Sequence, residues 1–375
     1  MTRTLSLYLD GLRFAAAFTV FLSHYAVGRI SGGFFWPVAD YGRTSVLVFF
    51  VLSGFVIAWV TEARERSLDD YCLARAARLY SVIIPAFIVT AALDYLGDAV
   101  DARLYGSEWG HSTTHPVLGF ALSAVFLGES WTLEMLPGFN LPFWSLNYEA
   151  WYYALFASVR FLRGRRRIVA VGVAALLAGP KILVLLPIWL LGVAAWRWRA
   201  DLPRQLGGPL VVVSLAGFIA LEALGGQQLF WHPGTHWLPP SFSAYDYVIG
   251  VLVALFIVGL ANARLPMPGF TFERAVRLLA GTSFGLYLLH YPLLNFFGTV
   301  IPGPADGAMH RVLLFALTLG AALALARLTE QQKGALKRRL RCGFDAVLAK
   351  WSPPALERQG PGSVAEAQRH RRVRT

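Results

Sequence analysis

Long apolar stretches alternate with short charged ones along most of the chain. An apolar run of about 20 residues is long enough to cross a lipid bilayer as an α-helix. The pattern therefore predicts an all-α integral membrane protein. The eleven apolar segments are 8–27, 44–60, 79–97, 117–130, 144–162, 168–179, 182–196, 209–224, 244–261, 276–297 and 309–328.

Segment length and arginine position together set the number of crossings. Segment 117–130 is short, which predicts a re-entrant or interfacial segment. Without a crossing there, all the arginine-rich clusters lie on one side, as the positive-inside rule requires. This favours ten transmembrane helices with both termini cytoplasmic, whereas an eleventh crossing would divide the clusters between the two faces. The clusters lie at 64–78, 163–167, 197–204, 264–277 and 331–375.

Composition supports a membrane protein with two parts. Of the 375 residues, 56% are hydrophobic and only 15% are charged, against about a quarter charged in soluble domains. Residues 1–330 are predicted to form the transmembrane domain, and 331–375 a basic, partly disordered cytoplasmic tail. The net charge of +12 is concentrated in that tail. A basic end beside the last apolar segment is what the positive-inside rule predicts. We therefore expect the protein to have the lipid bilayer as its partner and not to bind nucleic acid.

The first apolar segment carries ionisable residues, namely Asp10, Arg13 and His24. Such groups inside a span are costly unless they face the protein interior, which makes them candidates for function. Arg13 and His24 are eleven residues apart, so they share a helix face at an axial distance of about 16 Å. Arg13 is then near the cytoplasmic end and His24 near the outer end. The alternative is an interfacial histidine with a snorkelling arginine.

Two more ionisable residues are expected in the outer half of the membrane. Glu149 lies one to two turns into segment 144–162, which runs inward, and His290 lies in a segment that runs outward. A histidine beside a carboxylate is suited to general-base catalysis, because the carboxylate stabilises the imidazolium. We therefore predict His24 as the base and Glu149 as its stabiliser.

Two arginines, Arg75 and Arg78, lead into the third segment. Positions i and i+3 share a helix face, and two guanidinium groups there suit phosphate binding. The alternative is that they only fix topology. Ser53-Gly54 in the second segment is interpreted as a helix packing point and not as a nucleophile.

Histidines spaced by four residues occur twice, in 111–115 and in 232–236. The second pair encloses Pro-Gly and is not helical, and no carboxylate or cysteine completes either set. We therefore predict no metal site.

Several motifs in this order resemble those of the membrane-bound acyltransferase 3 family, over roughly residues 5–330. One departure is Ser81, where the family often has a proline three residues after its second arginine. The motifs are Leu9-Asp10-Gly11-Leu12-Arg13 with His24, Phe49 to Phe55, Arg75-x-x-Arg78, Trp144-Ser145-Leu146 with Glu149, and Ser283 to Pro292.

The resemblance implies an enzyme that moves an acyl group, most simply acetyl, from cytoplasmic acyl-CoA to a hydroxyl of a carbohydrate or other small acceptor. Acyl-CoA would be a co-substrate, with no permanently bound cofactor, and the enzyme would lie in the cell inner membrane. The alternative is a transporter or flippase, which also buries charges. The implied residues are His24 and Glu149 for catalysis, Arg13, Arg75 and Arg78 for the donor, and Asp10, Ser145, Tyr153 and His290 in support.

Overall fold

The computed structural model describes residues 1–102, 105, 115–226, 243–330 and 332–351. These residues form thirteen helices of nine residues or more and no strands. The helices are α1 (Arg3–Tyr25), α2 (Tyr41–Ala63), α3 (Leu68–Val100), α4 (Pro116–Ala124), α5 (Trp144–Phe161), α6 (Gly164–Ala178), α7 (Leu186–Trp198), α8 (Gly207–Ala223), α9 (Ala244–Asn262), α10 (Phe270–Ala280), α11 (Ser283–Val300), α12 (Ala308–Glu330) and α13 (Lys333–Trp351).

Seven helical segments in the described part of the chain are long and apolar enough to cross a membrane. They include α1, α2, α3, α8 and α9, together with segments that contain α7 and α12. This confirms the prediction of an all-α membrane protein. Helices α5, α6 and α11 are not among these seven segments. If these three helices also cross the membrane, the total equals the ten crossings predicted from the sequence. The number of crossings stays a prediction.

Segment 117–130 agrees with the prediction of a segment too short to cross, and two other apolar segments differ from the prediction in detail. Segment 117–130 contains only the nine-residue α4 followed by a loop, which is too short for a crossing. Segment 276–297 is divided between α10 and α11 at Gly281–Thr282. Segment 182–196 begins with a short helical turn, Pro180–Leu183, before α7.

The start of the tail is helical. Helix α13 packs on α3, where Arg341 donates to Asp70 at 2.8 Å. The tail was predicted to be partly disordered, and its last residues, 352–375, are outside the described part of the chain.

Helices α2 and α7 pack closely at two glycines. A Cβ on Gly54 would overlap the carbonyl oxygen of Trp189, and one on Gly192 would overlap that of Val51. Small residues allow helix backbones to approach in this way. The interpretation of Gly54 as a packing point is confirmed, and the contact holds Ser53 beside α7.

Ion pairs hold the N-terminal half of α1 against α10. Arg3 donates to both carboxylate oxygens of Glu273, at 2.9 and 2.7 Å. These hydrogen bonds hold the pKa of Glu273 below its usual range. Asp10 joins Arg277, at 2.7 Å, to Arg13, at 3.2 Å. The network therefore sets the position of Arg13 and the rotation of α1.

Candidate active site

Three adjoining cavities lie within the helix bundle, and we name them, after the orientation predicted from the sequence, the inner pocket, the neck and the outer cavity. The inner pocket has a volume of about 220 Å³ and is lined by Arg13, Arg78 and Arg277. The neck, of about 60 Å³, shares Arg13 and Arg78 with it. The outer cavity, of about 560 Å³, contains His24 and shares Tyr287 with the neck. The cavities thus form a series that runs from the arginines to His24.

The predicted arginines lie together around the inner pocket and the neck. Arg75 is held by Glu65 at 2.6 Å and lies over the rings of Tyr71 and Tyr153. Arg78 lies over the ring of Phe284, with its guanidinium carbon 6.0 Å from the ring centroid. Sequence reasoning did not include Arg277, because it had been counted as part of a topology cluster. The one signal for Arg277 is its ion pair with Asp10, a residue of the first motif, and that pair is visible only in the folded structure.

Glu149 is part of a hydrogen-bond cluster at the neck. It accepts from Ser53 at 2.5 Å and from the Tyr153 hydroxyl. Ser53 also accepts from the indole nitrogen of Trp189 at 3.2 Å. Ser53 was interpreted as a packing residue only, so this polar contact is a functional feature that the sequence reasoning missed.

His24 is hydrogen-bonded to His290, with 2.9 Å between His24 Nδ1 and His290 Nε2. His290 Nδ1 is also 2.9 Å from the carbonyl oxygen of Leu286. A carbonyl oxygen can only accept, so the network assigns the proton of His290 to Nδ1. Neutral His290 then accepts at Nε2, and His24 donates from Nδ1. The lone pair of neutral His24 is consequently on Nε2.

The predicted pairing of His24 with Glu149 is not formed in this structure. Helix α11 packs along α1 and brings His290 to His24, whereas Glu149 is bonded to α2 through Ser53. The sequence indicated similar depths for the three residues. Depth along a helix does not give the direction in which a side chain points once the helices are packed.

Tyr287 separates the neck from the outer cavity. Its hydroxyl is 2.7 Å from Ser145 Oγ and 3.1 Å from the carbonyl oxygen of Pro142. Its ring packs edge-on against Phe49. Tyr287 belongs to the Ser283 to Pro292 motif noted in the sequence. Its position between two cavities depends on its contact with Ser145, which is far away in the chain, so the sequence alone did not predict it.

No group of three potential metal ligands occurs among the residues that the structure describes. Of the histidines spaced by four, His111, His232 and His236 are outside the described residues, so the structure does not test those pairs. His115 precedes the first residue of α4, and its side chain makes no capping hydrogen bond to any described residue.

The fold and cavities define a multi-span membrane protein with a basic inner pocket and a histidine pair near the opposite end of the bundle. A profile described as "Acyltransferase domain" matches residues 6–327. The chain belongs to this family, as the motifs indicated, and is a membrane acyltransferase. Family membership favours this reading over the transporter alternative.

Named relatives are acyltransferases or polysaccharide-related proteins. The chain is 27% identical to "Acyltransferase MdmB" of Streptomyces mycarofaciens, over 85% of this chain and 86% of that protein. It is 23% identical to "O-acetyltransferase OatA" of Staphylococcus aureus, over 77% of this chain but 50% of that protein. It is 25% identical to "Exopolysaccharide production protein ExoZ" of Rhizobium meliloti, over 66% and 75%. No solved structure matches the chain significantly.

Proposed function

We propose that this protein is an O-acyltransferase that takes an acyl group, most simply acetyl, from acyl-CoA at the inner face of the membrane. The acceptor is a hydroxyl of a carbohydrate or similar small molecule at the outer face. The observation that carries the proposal is the series of cavities from Arg13, Arg78 and Arg277 to His24. The names of OatA and ExoZ support an acetyl donor and a carbohydrate acceptor.

The donor phosphates bind at the inner pocket. Guanidinium groups bind phosphate oxygens through paired N–H donors, and this pocket offers Arg13, Arg78 and Arg277. Arg75 is adjacent and lines the neck. Asp10 orients two of these arginines through its two carboxylate oxygens. The supporting role predicted for Asp10 is therefore to hold the donor site in shape.

The pantetheine arm of the donor enters the neck. The neck has room for roughly four water molecules, so its side chains move when the arm enters. Tyr287 is the side chain common to the neck and the outer cavity, and Ser145 holds its hydroxyl. Displacement of Tyr287 brings the thioester to His24, and Glu149 with Tyr153 lines the path of the arm.

Chemistry takes place at His24 Nε2. This nitrogen removes the proton of the acceptor hydroxyl while the oxygen attacks the thioester carbonyl carbon. The carbon–sulfur bond then breaks, and the proton passes from His24 to the departing thiolate, which gives an ester and free CoA. His290 accepts a hydrogen bond from His24 Nδ1 throughout and so orients the ring and stabilises the imidazolium.

A covalent route uses the same nitrogen. His24 Nε2 attacks the thioester carbonyl carbon, the carbon–sulfur bond breaks, and CoA leaves as the thiolate. The acceptor oxygen then attacks the acyl carbon, the carbon–nitrogen bond breaks, and the hydroxyl proton passes through solvent to the CoA thiolate, which restores neutral His24. The two routes differ in one observable. Radiolabel from acetyl-CoA stays on the protein in the absence of acceptor only when an acyl-histidine forms.

The proposed location is the cell inner membrane, with both termini cytoplasmic. Cys72 and Cys342 are both exposed, and this orientation puts both on the cytoplasmic side. A membrane-impermeant maleimide should label them in inside-out vesicles but not in intact spheroplasts. Labelling in spheroplasts would contradict the orientation.

Release of free CoA by the purified protein tests the enzymatic proposal. In nanodiscs, acetyl-CoA consumption should depend on added acceptor and saturate with donor concentration. The His24→Asn protein prepared in the same way is the background. Equal CoA release from both proteins would contradict the proposal.

A further inference from the structure

The size and the lining residues of the outer cavity indicate what kind of acceptor it can bind. Its volume of about 560 Å³ is within the usual range for small-molecule sites. Helices α1, α2 and α5 and Tyr287 of α11 line it, together with the loop between α4 and α5 and the turn before α7. His24 is in its wall, so a molecule in this cavity is next to the proposed base.

One wall of the cavity presents a hydroxyl that has no hydrogen-bond partner among the described residues. Tyr148 is only 2% exposed and lines the cavity. Its hydroxyl makes no hydrogen bond to any residue in the described ranges. The hydroxyl can both donate and accept, so it is available to a ligand or to solvent in the cavity. Trp144 lines the cavity beside it, with ring centroids 5.1 Å apart, and adds aromatic surface.

The charged groups that line the cavity are already paired. Arg43 forms two hydrogen bonds with the carboxylate of Asp246, at 3.0 and 2.8 Å. Lys181 Nζ is 2.6 Å from Glu129 and 3.5 Å from Glu134. Both cations are thus satisfied by carboxylates, and the Glu134 side chain is 74% exposed. An anionic ligand would meet neutralised cations and an exposed carboxylate.

The ligand chemistry follows from these two walls. A sugar ring has an apolar C–H face that packs on aromatic side chains, and hydroxyls that can pair with Tyr148. A carboxylate or phosphate on the ring would lose its hydration without gaining a free cation in return. The cavity therefore fits a neutral sugar better than a uronic acid or a sugar phosphate.

We propose that the outer cavity is the acceptor subsite, that it binds a neutral glycosyl ring against the aromatic wall formed by Trp144 and Tyr148, and that Glu134 disfavours anionic sugars. This inference rests on the proposed acyl transfer, because it assigns the second substrate of that reaction. It names no particular glycan.

The experiment uses the full-length protein in nanodiscs with radiolabelled acetyl-CoA. The acceptor probe is p-nitrophenyl β-D-glucoside. The competitors are p-nitrophenyl β-D-glucuronide and its neutral amide, which differ only in replacing a carboxylate by a carboxamide. The amide should inhibit transfer to the glucoside, and the glucuronide should inhibit about tenfold more weakly, as expected for one unfavourable charge contact.

Three variants separate the contributions of the walls. Trp144→Ala should raise the KM for the glucoside and leave the KM for acetyl-CoA unchanged. Tyr148→Phe keeps the ring and should raise the acceptor KM by less. Glu134→Lys, at an exposed position, should remove most of the discrimination against the glucuronide. Trp36→Ala is the matched control, because Trp36 is 74% exposed and does not line the cavity.

The possible results distinguish a failure of the proposed acceptor subsite from a failure of the proposed acyl transfer. Equal inhibition by the amide and the glucuronide, or an unchanged acceptor KM in Trp144→Ala and Tyr148→Phe, would overturn the subsite. So would acetyl-CoA turnover with no transfer to the glucoside. Failure to consume acetyl-CoA under every condition would instead count against the proposed function.

Discussion

The two ends of the cavity series differ most in their charge. Four arginines and two carboxylates line the inner pocket and the neck. The outer cavity has two cations and two carboxylates, with a histidine pair at its wall. An excess of guanidinium groups suits a phosphate-rich donor, whereas a balanced wall suits a neutral acceptor. We therefore propose that the protein separates its substrates by charge as well as by membrane face.

The largest expected effect is at the histidine of the outer cavity. His24→Asn keeps hydrogen bonding but cannot take the proton, so we predict a loss of turnover of roughly 10²–10⁴-fold. The KM for acetyl-CoA should be little changed, because the donor arginines are at the other end. The measurement is acyl transfer per mole of folded protein, with His115→Asn as the control. Near-normal activity of His24→Asn would contradict the assigned base.

The arginines of the inner pocket and the neck should affect donor binding alone. Arg78→Ala should raise the KM for acetyl-CoA by about ten- to a hundredfold, the range for losing a hydrogen bond to a charged group. Arg75→Ala should do the same, and lysine at either position should rescue only partly. Arg274→Ala is the control, because Arg274 is exposed and lines neither cavity. If both alanine variants kept the normal KM, the pair would serve topology only.

His290 should have an effect comparable to one charge-assisted hydrogen bond. His290→Ala removes the acceptor for His24 Nδ1, and we expect kcat to fall by about ten- to a hundredfold. His290→Gln can still accept a hydrogen bond and should recover part of the rate. A merely structural histidine would give equal losses in both variants, in proportion to the amount of folded protein.

Glu149 should have the smallest effect of the four. Glu149→Gln can keep the hydrogen bonds of Ser53 and Tyr153 and loses only the charge at the neck. We expect less than a tenfold loss in turnover, since His24 and His290 remain intact. A loss as large as that of His24→Asn would show that Glu149 acts directly on the base, as the sequence had suggested.

The sequence predicts the composition of the site better than its pairing. Fixed spacing along α1 and α3 was sufficient to group Arg13 with His24 and Arg75 with Arg78. The contact of His24 with His290, and of Glu149 with Ser53, joins residues far apart in the chain. Such contacts depend on the rotation of each helix about its axis when the helices pack. In a membrane, the lipid-facing and the buried faces of a helix are both apolar, so the sequence gives little information on that rotation.

The same limit applies to the fold. Apolar length identified nearly every helix, because the bilayer demands a long apolar run. It did not find the break between α10 and α11, where two short helices share one apolar segment. Nor did it find Arg277 as part of the inner pocket, because a positively charged residue beside a span is expected for topology alone.

Transfer between opposite faces of the membrane tests the central claim most directly. Proteoliposomes would contain the purified protein in random orientation, and labelled acetyl-CoA would be sealed inside or added outside. With the donor inside and p-nitrophenyl β-D-glucoside outside, we predict labelled glucoside from one orientation of the protein. With donor and acceptor both confined to the outside, we predict none. Equal labelling in the two arrangements would contradict a donor site and an acceptor site on opposite faces.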